Sequence, residues 1–207
     1  MSKFESMSDA YLIKTYVPDI YQKNIYAIDY QKLKKAGIQV LTFDIDDTVA
    51  ALEDWKPPKS AVTLFENLKL MGFEIYLLSN TKFDSRAERF GQRLGVEYIA
   101  HAHKPRITGL EEVQNRYLQK HGAPLLKAQM AHIGNSIMSD VGSGNTFGII
   151  TGLVRNEGNL IKFSKLIITE GKELRHELKK RDIWRKHHKY QHHDQYYQLG
   201  EVPPYKK

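Results

Sequence analysis

Asp44 and Asp46 stand one residue apart in FDIDDTV (43–49), directly after an apolar run rich in β-branched residues. In an extended segment alternate side chains project to one face, which makes the two carboxylates neighbours. Like charges this close repel unless a cation lies between them or one keeps its proton. Mg2+, a hard cation with oxygen ligands, resolves the repulsion and also neutralises a phosphate brought to the same place. One carboxylate can then attack phosphorus in line. The other protonates the leaving oxygen and later activates water.

Three more groups follow in the chain. LLSN (77–80) carries Ser79 and Asn80, HKP (103–105) carries Lys104, and IGNSIMSD (133–140) carries Asn135 and Asp140. Ser79 and nearby backbone amides suit phosphoryl oxygens, and Lys104 supplies a point charge to the same group. Asn135 and Asp140 offer hard oxygen donors to a metal.

The elements that must position these groups are readable from pattern. IQVLTFD (38–44), GFEIYLLSN (72–80), MAHIGN (130–135) and GIITGLV (148–154) read as buried strands, and VEYIA (96–100) as a weaker one. Between them lie helices. Ser60 is placed to cap one carrying Val62, Phe65, Leu68 and Met71 before Gly72, and Asp84 one carrying Ala87, Phe90 and Leu94 before Gly95. Thr108 and Glu111 have capping-box spacing ahead of Val113, Tyr117 and Gly122. Strands alternating with helices of this length predict an α/β fold, a parallel sheet with helices on both faces. In such a sheet the ligand site lies beyond the carboxyl ends of the strands, where all the groups above are found.

Bulk properties set outer limits. A chain of 207 residues buries roughly 70% of the surface its unfolded form exposes, so it needs no staples. It has no cysteine, which excludes a disulfide framework, a thiol nucleophile and a thiolate zinc site. The N-terminus lacks the apolar core of a secretory signal, and no apolar run approaches the ~20 residues of a membrane span. The expectation is a soluble, cytoplasmic protein. From Lys172 to Lys207 ten Lys or Arg stand against five Asp or Glu, so this segment carries about +5 of the net +7. Such a tail suits an anionic partner, phospholipid or nucleic acid, or is a solvated helix. Trp184 lies among these charges, and the His pairs of HHKYQHH (187–193) could take up Zn2+ adventitiously. His103 is a candidate for substrate contact, whereas His132, inside a strand, reads as packed and hydrogen-bonded.

Taken in order, DIDDT, LLSN, HKP and IGNSIMSD resemble the four motifs of the haloacid dehalogenase (HAD) superfamily of aspartate-based phosphatases. Within it the chain is similar to subfamily IIIA and to YqeG-like proteins. VPDIYQKNIYAID (17–29) and SDVGSGNTFGIITGLV (139–154) resemble that family's flanking segments, so the likeness runs from residue 17 to about 165. The resemblance implies a HAD-type Rossmann-like core over residues 1–170, with a lead-in at 1–36, and a basic extension at 171–207. It implies Asp44 as a nucleophile forming an aspartyl-phosphate, and Asp46 as general acid and base with its backbone carbonyl on Mg2+. Thr48 then supports the loop, Ser79, Asn80 and Lys104 bind phosphate, and Asn135 and Asp140 complete the metal site. Family members usually carry Asp where Asn135 stands, so weaker Mg2+ affinity with intact geometry is expected.

The dozen residues from Thr48 to Ser60 are too few for a folded cap, and Asn80 to Lys104 holds one helix and one strand. An open site is expected, with Trp55 at its rim. That suits a phosphate projecting from something large, and YqeG-like proteins resemble phosphatases acting on phosphatidylglycerophosphate at the membrane surface. The rival expectations are a phosphatase of nucleic-acid ends, its tail tyrosines Tyr190, Tyr196 and Tyr197 stacking on bases, and a low-activity HAD-shaped scaffold weakened by Asn135.

Overall fold

The computed structural model describes residues 2–81, 83–154, 165–183 and 195–196. Trp184, the histidines of 187–193, Tyr190 and Tyr197 lie outside them.

The strands expected from sequence form one sheet. β2 (Val40–Phe43), β3 (Glu74–Leu78), β4 (Glu97–Ile99), β5 (Met130–Gly134) and β6 (Ile150–Val154) are all parallel, in the order β4-β3-β2-β5-β6. A further strand, β1 (Ile20–Gln22), extends the sheet by pairing parallel with β6. A two-residue strand, β7 (Gln195–Tyr196), closes that edge antiparallel to β1. The parallel part thus has six strands with helices on both faces. β2 and β5 are neighbours although β3 and β4 intervene in sequence. The strand order therefore reverses between them, and crevices open at such switch points.

Period-two alternation fills both faces. Leu41, Phe43, Ile75 and Leu77 join one core with Phe65 and Leu68 of α3 (Lys59–Leu70) and Ala87, Phe90 and Leu94 of α4 (Asp84–Leu94). Val40, Tyr76 and Leu78 join another with Leu110 and Val113 of α5 (Thr108–His121). The lead-in forms α1 (Asp9–Tyr16) and α2 (Tyr30–Lys35), and a short α6 (Gly142–Phe147) precedes β6.

The helix stops fall at the expected glycines: Gly95 and Gly122 adopt φ 62 and 68, and Gly72 follows the C-cap Met71. The starts differ from expectation. The N-caps are Pro58, Phe83 and Ile107, none with a side-chain cap bond, so Asp84 and Thr108 are first helical residues and Ser60 a second. Inside the first turn their oxygens turn to partners elsewhere: Ser60 Oγ meets the Tyr26 hydroxyl at 2.8 Å and Asp84 pairs with His101 at 2.8 Å. Asp84 still gains from the helix dipole there.

Helix α7 (Lys165–Lys180) crosses the boundary expected at residue 170. Leu174, Leu178 and Ile183 are buried with Phe4, Leu12, Val17, Ile137, Val141 and Leu153. Arg181 fastens the N-terminus, its guanidinium donating to the carbonyls of Phe4 at 3.0 Å and Glu5 at 2.7 Å. Leu178→Ala is therefore expected to cost about 3 kcal/mol of unfolding free energy, read from urea denaturation at unchanged slope. A surface role for this stretch predicts a cost near zero.

Candidate active site

Asp44 continues β2 by one residue, its backbone N–H donating to the Ile133 carbonyl of β5 at 2.9 Å. That bond sets the carboxylate over the switch point, where the residue is only 7% exposed. The chain then turns tightly: Thr48, Val49 and Ala50 donate their N–H groups to the Ile45 carbonyl at 3.3, 3.0 and 3.2 Å, with Asp47 at φ 55. The turn returns Thr48 to Asp44, and its Oγ1 donates to Asp44 Oδ2 at 3.2 Å.

Lys104 arrives from the loop after β4, ahead of a cis Lys104–Pro105 bond. Asn80 clamps its backbone: Asn80 Oδ1 accepts from Lys104 N–H and Asn80 Nδ2 donates to Lys104 O, both at 2.8 Å. The buried ammonium donates to Asp44 Oδ1 at 2.6 Å, Asp140 Oδ1 at 2.7 Å and the Leu78 carbonyl at 2.8 Å. Ser79, fully buried at the end of β3, accepts from Thr81 N–H at 3.0 Å.

Asp140 sits in a π-helical turn (Ile137–Val141), a form frequent at functional sites. The turn folds it back over β5: a Cβ on Gly134 would stand 2.2 Å from Asp140 Cγ, so only glycine fits. Asp140 Oδ2 accepts from Ser136 N–H at 2.9 Å. His132 lies behind, its Nε2 3.3 Å from Asp140 Oδ1 and its Nδ1 2.8 Å from Thr42 Oγ1. Burial pushes the His132 imidazole below its usual value, and a neutral ring in this network donates Nε2–H to Asp140 and accepts the Thr42 hydroxyl.

The two carboxylates on Lys104 part company electrostatically. Burial raises Asp44 to about 7 despite the pull of Lys104, with Asp140 and Asp46 adding to the rise. Burial acts on Asp140 too, but Lys104 and the His132 hydrogen bond outweigh it and hold that carboxyl below the ordinary range. Lys104 is desolvated yet held above its usual value by Asp140 and Asp44. The ion pair keeps its charge, and the surplus proton affinity falls on Asp44.

The structure thus joins Asp44, Thr48, Lys104 and Asp140 in one bonded cluster, with Asn80 and Ser79 supporting Lys104 and its loop. Asp46 is turned elsewhere: its carboxylate pairs with Arg86 Nη1 from α4. Asn135, half-buried beside the cluster, makes no side-chain hydrogen bond among the described residues. At the rim, exposed Trp55 lies 6.3 Å from Phe83, ring to ring, with Arg89 over its face. His103 is exposed next to Lys104. Two grooves of about 760 and 440 Å³, both lined by Glu74, open at the other end of the sheet and hold none of these groups.

Among the described residues no three His, Asp, Glu or Cys side chains gather as a metal cage. The donor chemistry nevertheless fits Mg2+: two buried carboxylates bracket a positive charge, Lys104, with an uncommitted amide alongside. Sequence reasoning missed Arg86, whereas His132 is packed and hydrogen-bonded as expected. Arg86 left one signal, its place one turn before Phe90 on the apolar stripe of α4.

Parallel topology with acids at the central strand's tip, and a lysine and a second acid beyond neighbouring strands, makes a buried charged site at the carboxyl end of the sheet. The profile of the family described as "Mitochondrial PGP phosphatase" matches residues 8–158, and the chain belongs to that family. Probable phosphatase YqeG of Bacillus subtilis (strain 168) is 29% identical over 163 residues, covering 75% of this chain and 89% of that protein. Phosphatidylglycerophosphate phosphatase 1, chloroplastic/mitochondrial, of Arabidopsis thaliana is 26% identical over 146 residues, 65% of this chain but 39% of that protein. A solved structure from Legionella pneumophila, described as a hydrolase of the HAD superfamily (subfamily III A), is 14% identical with a TM-score of 0.41, covering 70% and 91% of the two chains.

Replacing Lys104 by methionine leaves Asp44 and Asp140 facing each other without a cation. Lys104→Met is expected to lose about 3–5 kcal/mol of stability, measured by denaturation. Gly134→Ala, by displacing Asp140, is expected to abolish turnover while adding only one methyl group; retained turnover would mean that Asp140 has room to move.

Proposed function

We propose that the chain hydrolyses the terminal phosphomonoester of a phosphatidylglycerophosphate-type lipid, with Asp44 as nucleophile and Asp46 as general acid and base. The carrying observation is Asp44 itself, at the switch point, with one carboxylate oxygen on Lys104 and the other on Thr48. Relatives whose names specify phosphatidylglycerophosphate phosphatase support the substrate. So does the sparse cover: ten residues separate Thr48 from the start of α3, and among the described residues α4 and β4 are the elements between Asn80 and Lys104. An open crevice admits a phosphate standing on a large body.

Asp44 attacks phosphorus in line and becomes an aspartyl-phosphate while Asp46 gives its proton to the leaving oxygen. Asp46 then takes a proton from the water that hydrolyses the acyl phosphate. Lys104, Ser79 and loop amides hold the phosphoryl oxygens. Asp44, Asp140, the Asn135 amide oxygen and the Asp46 carbonyl would hold Mg2+, which when bound neutralises phosphoryl charge. The exposed Lys172, Arg175, Lys179 and Lys180 of α7 begin a basic surface that would meet an anionic leaflet, each cation worth about 1 kcal/mol.

A panel of phosphatidylglycerophosphate in mixed micelles, small alkyl phosphates and end-phosphorylated oligonucleotides, with Mg2+, tests this proposal. The lipid is expected to be the best substrate, with Asp44→Asn falling to background. A preference for oligonucleotides would overturn the lipid assignment. Asn135→Asp is expected to lower the half-saturating Mg2+ concentration by roughly tenfold; a silent wild type awakened by this change would make the chain a weakened scaffold.

A further inference from the structure

We propose that Arg86 is the positioning residue for Asp46, presetting the general acid and base and tying it to the rim loop. This rests on the role of Asp46 above. Arg86 is the third residue of α4, with a side chain only 4% exposed. Its Nη1 pairs with Asp46 Oδ1, its Nε donates to the Asp54 carbonyl at 2.9 Å, and its Nη2 donates to the Ala51 carbonyl at 3.2 Å. Phe90 closes the other side, 4.9 Å from the guanidinium carbon.

A buried arginine needs acceptors for its N–H groups, and Asp46 joins the two loop carbonyls as one of them. In return the fork fixes one of the two Asp46 oxygens. Asp46 Oδ2 makes no hydrogen bond to a described residue. One oxygen is therefore anchored and the other free for the proton transfer. In that step an Asp44 oxygen bonds to phosphorus as the ester P–O bond breaks, and the Asp46 proton goes to the departing oxygen. Geometry preset this way is worth most where the leaving group needs that proton. An alkoxide does; a nitrophenolate does not. Ala51 and Asp54 lie just before Trp55, so the same guanidinium also holds the rim that substrate passes.

The test compares kcat/KM, which reports up to release of the leaving group, for glycerol 3-phosphate and p-nitrophenyl phosphate on the full chain with Mg2+. In Arg86→Gln the glycerol ester is expected to lose roughly 10- to 100-fold and the nitrophenyl ester less than about threefold. Arg86→Lys, which keeps the charge but cannot fork, should recover part of the alkyl activity. It also serves as the readout if Arg86→Gln does not fold, selective alkyl loss supporting the role and equal loss opposing it. Asp46→Asn combined with Arg86→Gln should lose no more alkyl activity than Asp46→Asn alone, because Arg86 acts through Asp46. Equal losses on both esters, no loss, or multiplying losses in the double variant would assign Arg86 to the scaffold alone. Inactive wild type, or turnover surviving Asp44→Asn, would instead overturn the catalytic reading of the site and this role with it.

Discussion

One buried ammonium holds three strand ends together. Lys104 Nζ touches the Leu78 carbonyl closing β3, Asp44 beyond β2 and Asp140 beyond β5. Removing an ammonium and two carboxylates from water costs several kcal/mol per ion, and only close, fully bonded geometry offsets it. All the ammonium's donors are used here. Yet one lysine cannot neutralise two carboxylates, so the cluster is left one negative charge in excess. Burial magnifies that excess, which appears as the raised Asp44. A site so built attracts a cation or a proton.

The rest of the local fold keeps that cluster rigid. Asn80 uses both ends of its amide on the Lys104 backbone, so the ammonium enters from a fixed point. Gly134 lets the π turn lie flat against β5, and His132 with Ser136 N–H fixes the Asp140 carboxylate. These are features of packing: a side-chain amide, a missing Cβ and a buried imidazole. Their effect is electrostatic, because each sets how close charges stand in a poorly screened interior.

How much of this was legible beforehand follows from the range of the forces involved. The strands bearing the site are runs of Val, Leu, Ile and Phe closed by polar residues, a local pattern, and residues from all of them emerge on one edge as expected. β1 was not legible: IYQ is three residues long with a buried glutamine, and its strand character comes from pairing with β6. Cap residues misled because hydroxyls and acids near a helix start also find partners across the chain, as Ser60 and Asp84 do. Leu174 and Leu178 stand one turn apart on α7, but the aromatic and aliphatic residues that cover them and Ile183 lie far away in sequence. Arg86 was hardest, since a helical arginine is ordinarily exposed and nothing near it in sequence names Asp46 as its partner.

The closely spaced aspartates of the first loop were expected to share one cation. Instead each has its own: Lys104 for Asp44 and Arg86 for Asp46. The choice of cation fits the task. Lysine is a compact charge on a flexible stem, able to shift from carboxylate to an incoming phosphoryl oxygen without leaving its pocket. Arginine is a planar fork that engages a carboxylate and two carbonyls at once and gains nothing by moving. Exchanging them would fail on both sides: a guanidinium between Asp44 and Asp140 would demand room the buried cluster lacks, and an ammonium on α4 could not span Asp46, Ala51 and Asp54 together. The first aspartate is thus paired with a charge that can be redirected and the second with one that cannot, which suits the proposed division between a group that bonds to phosphorus and one that only passes a proton.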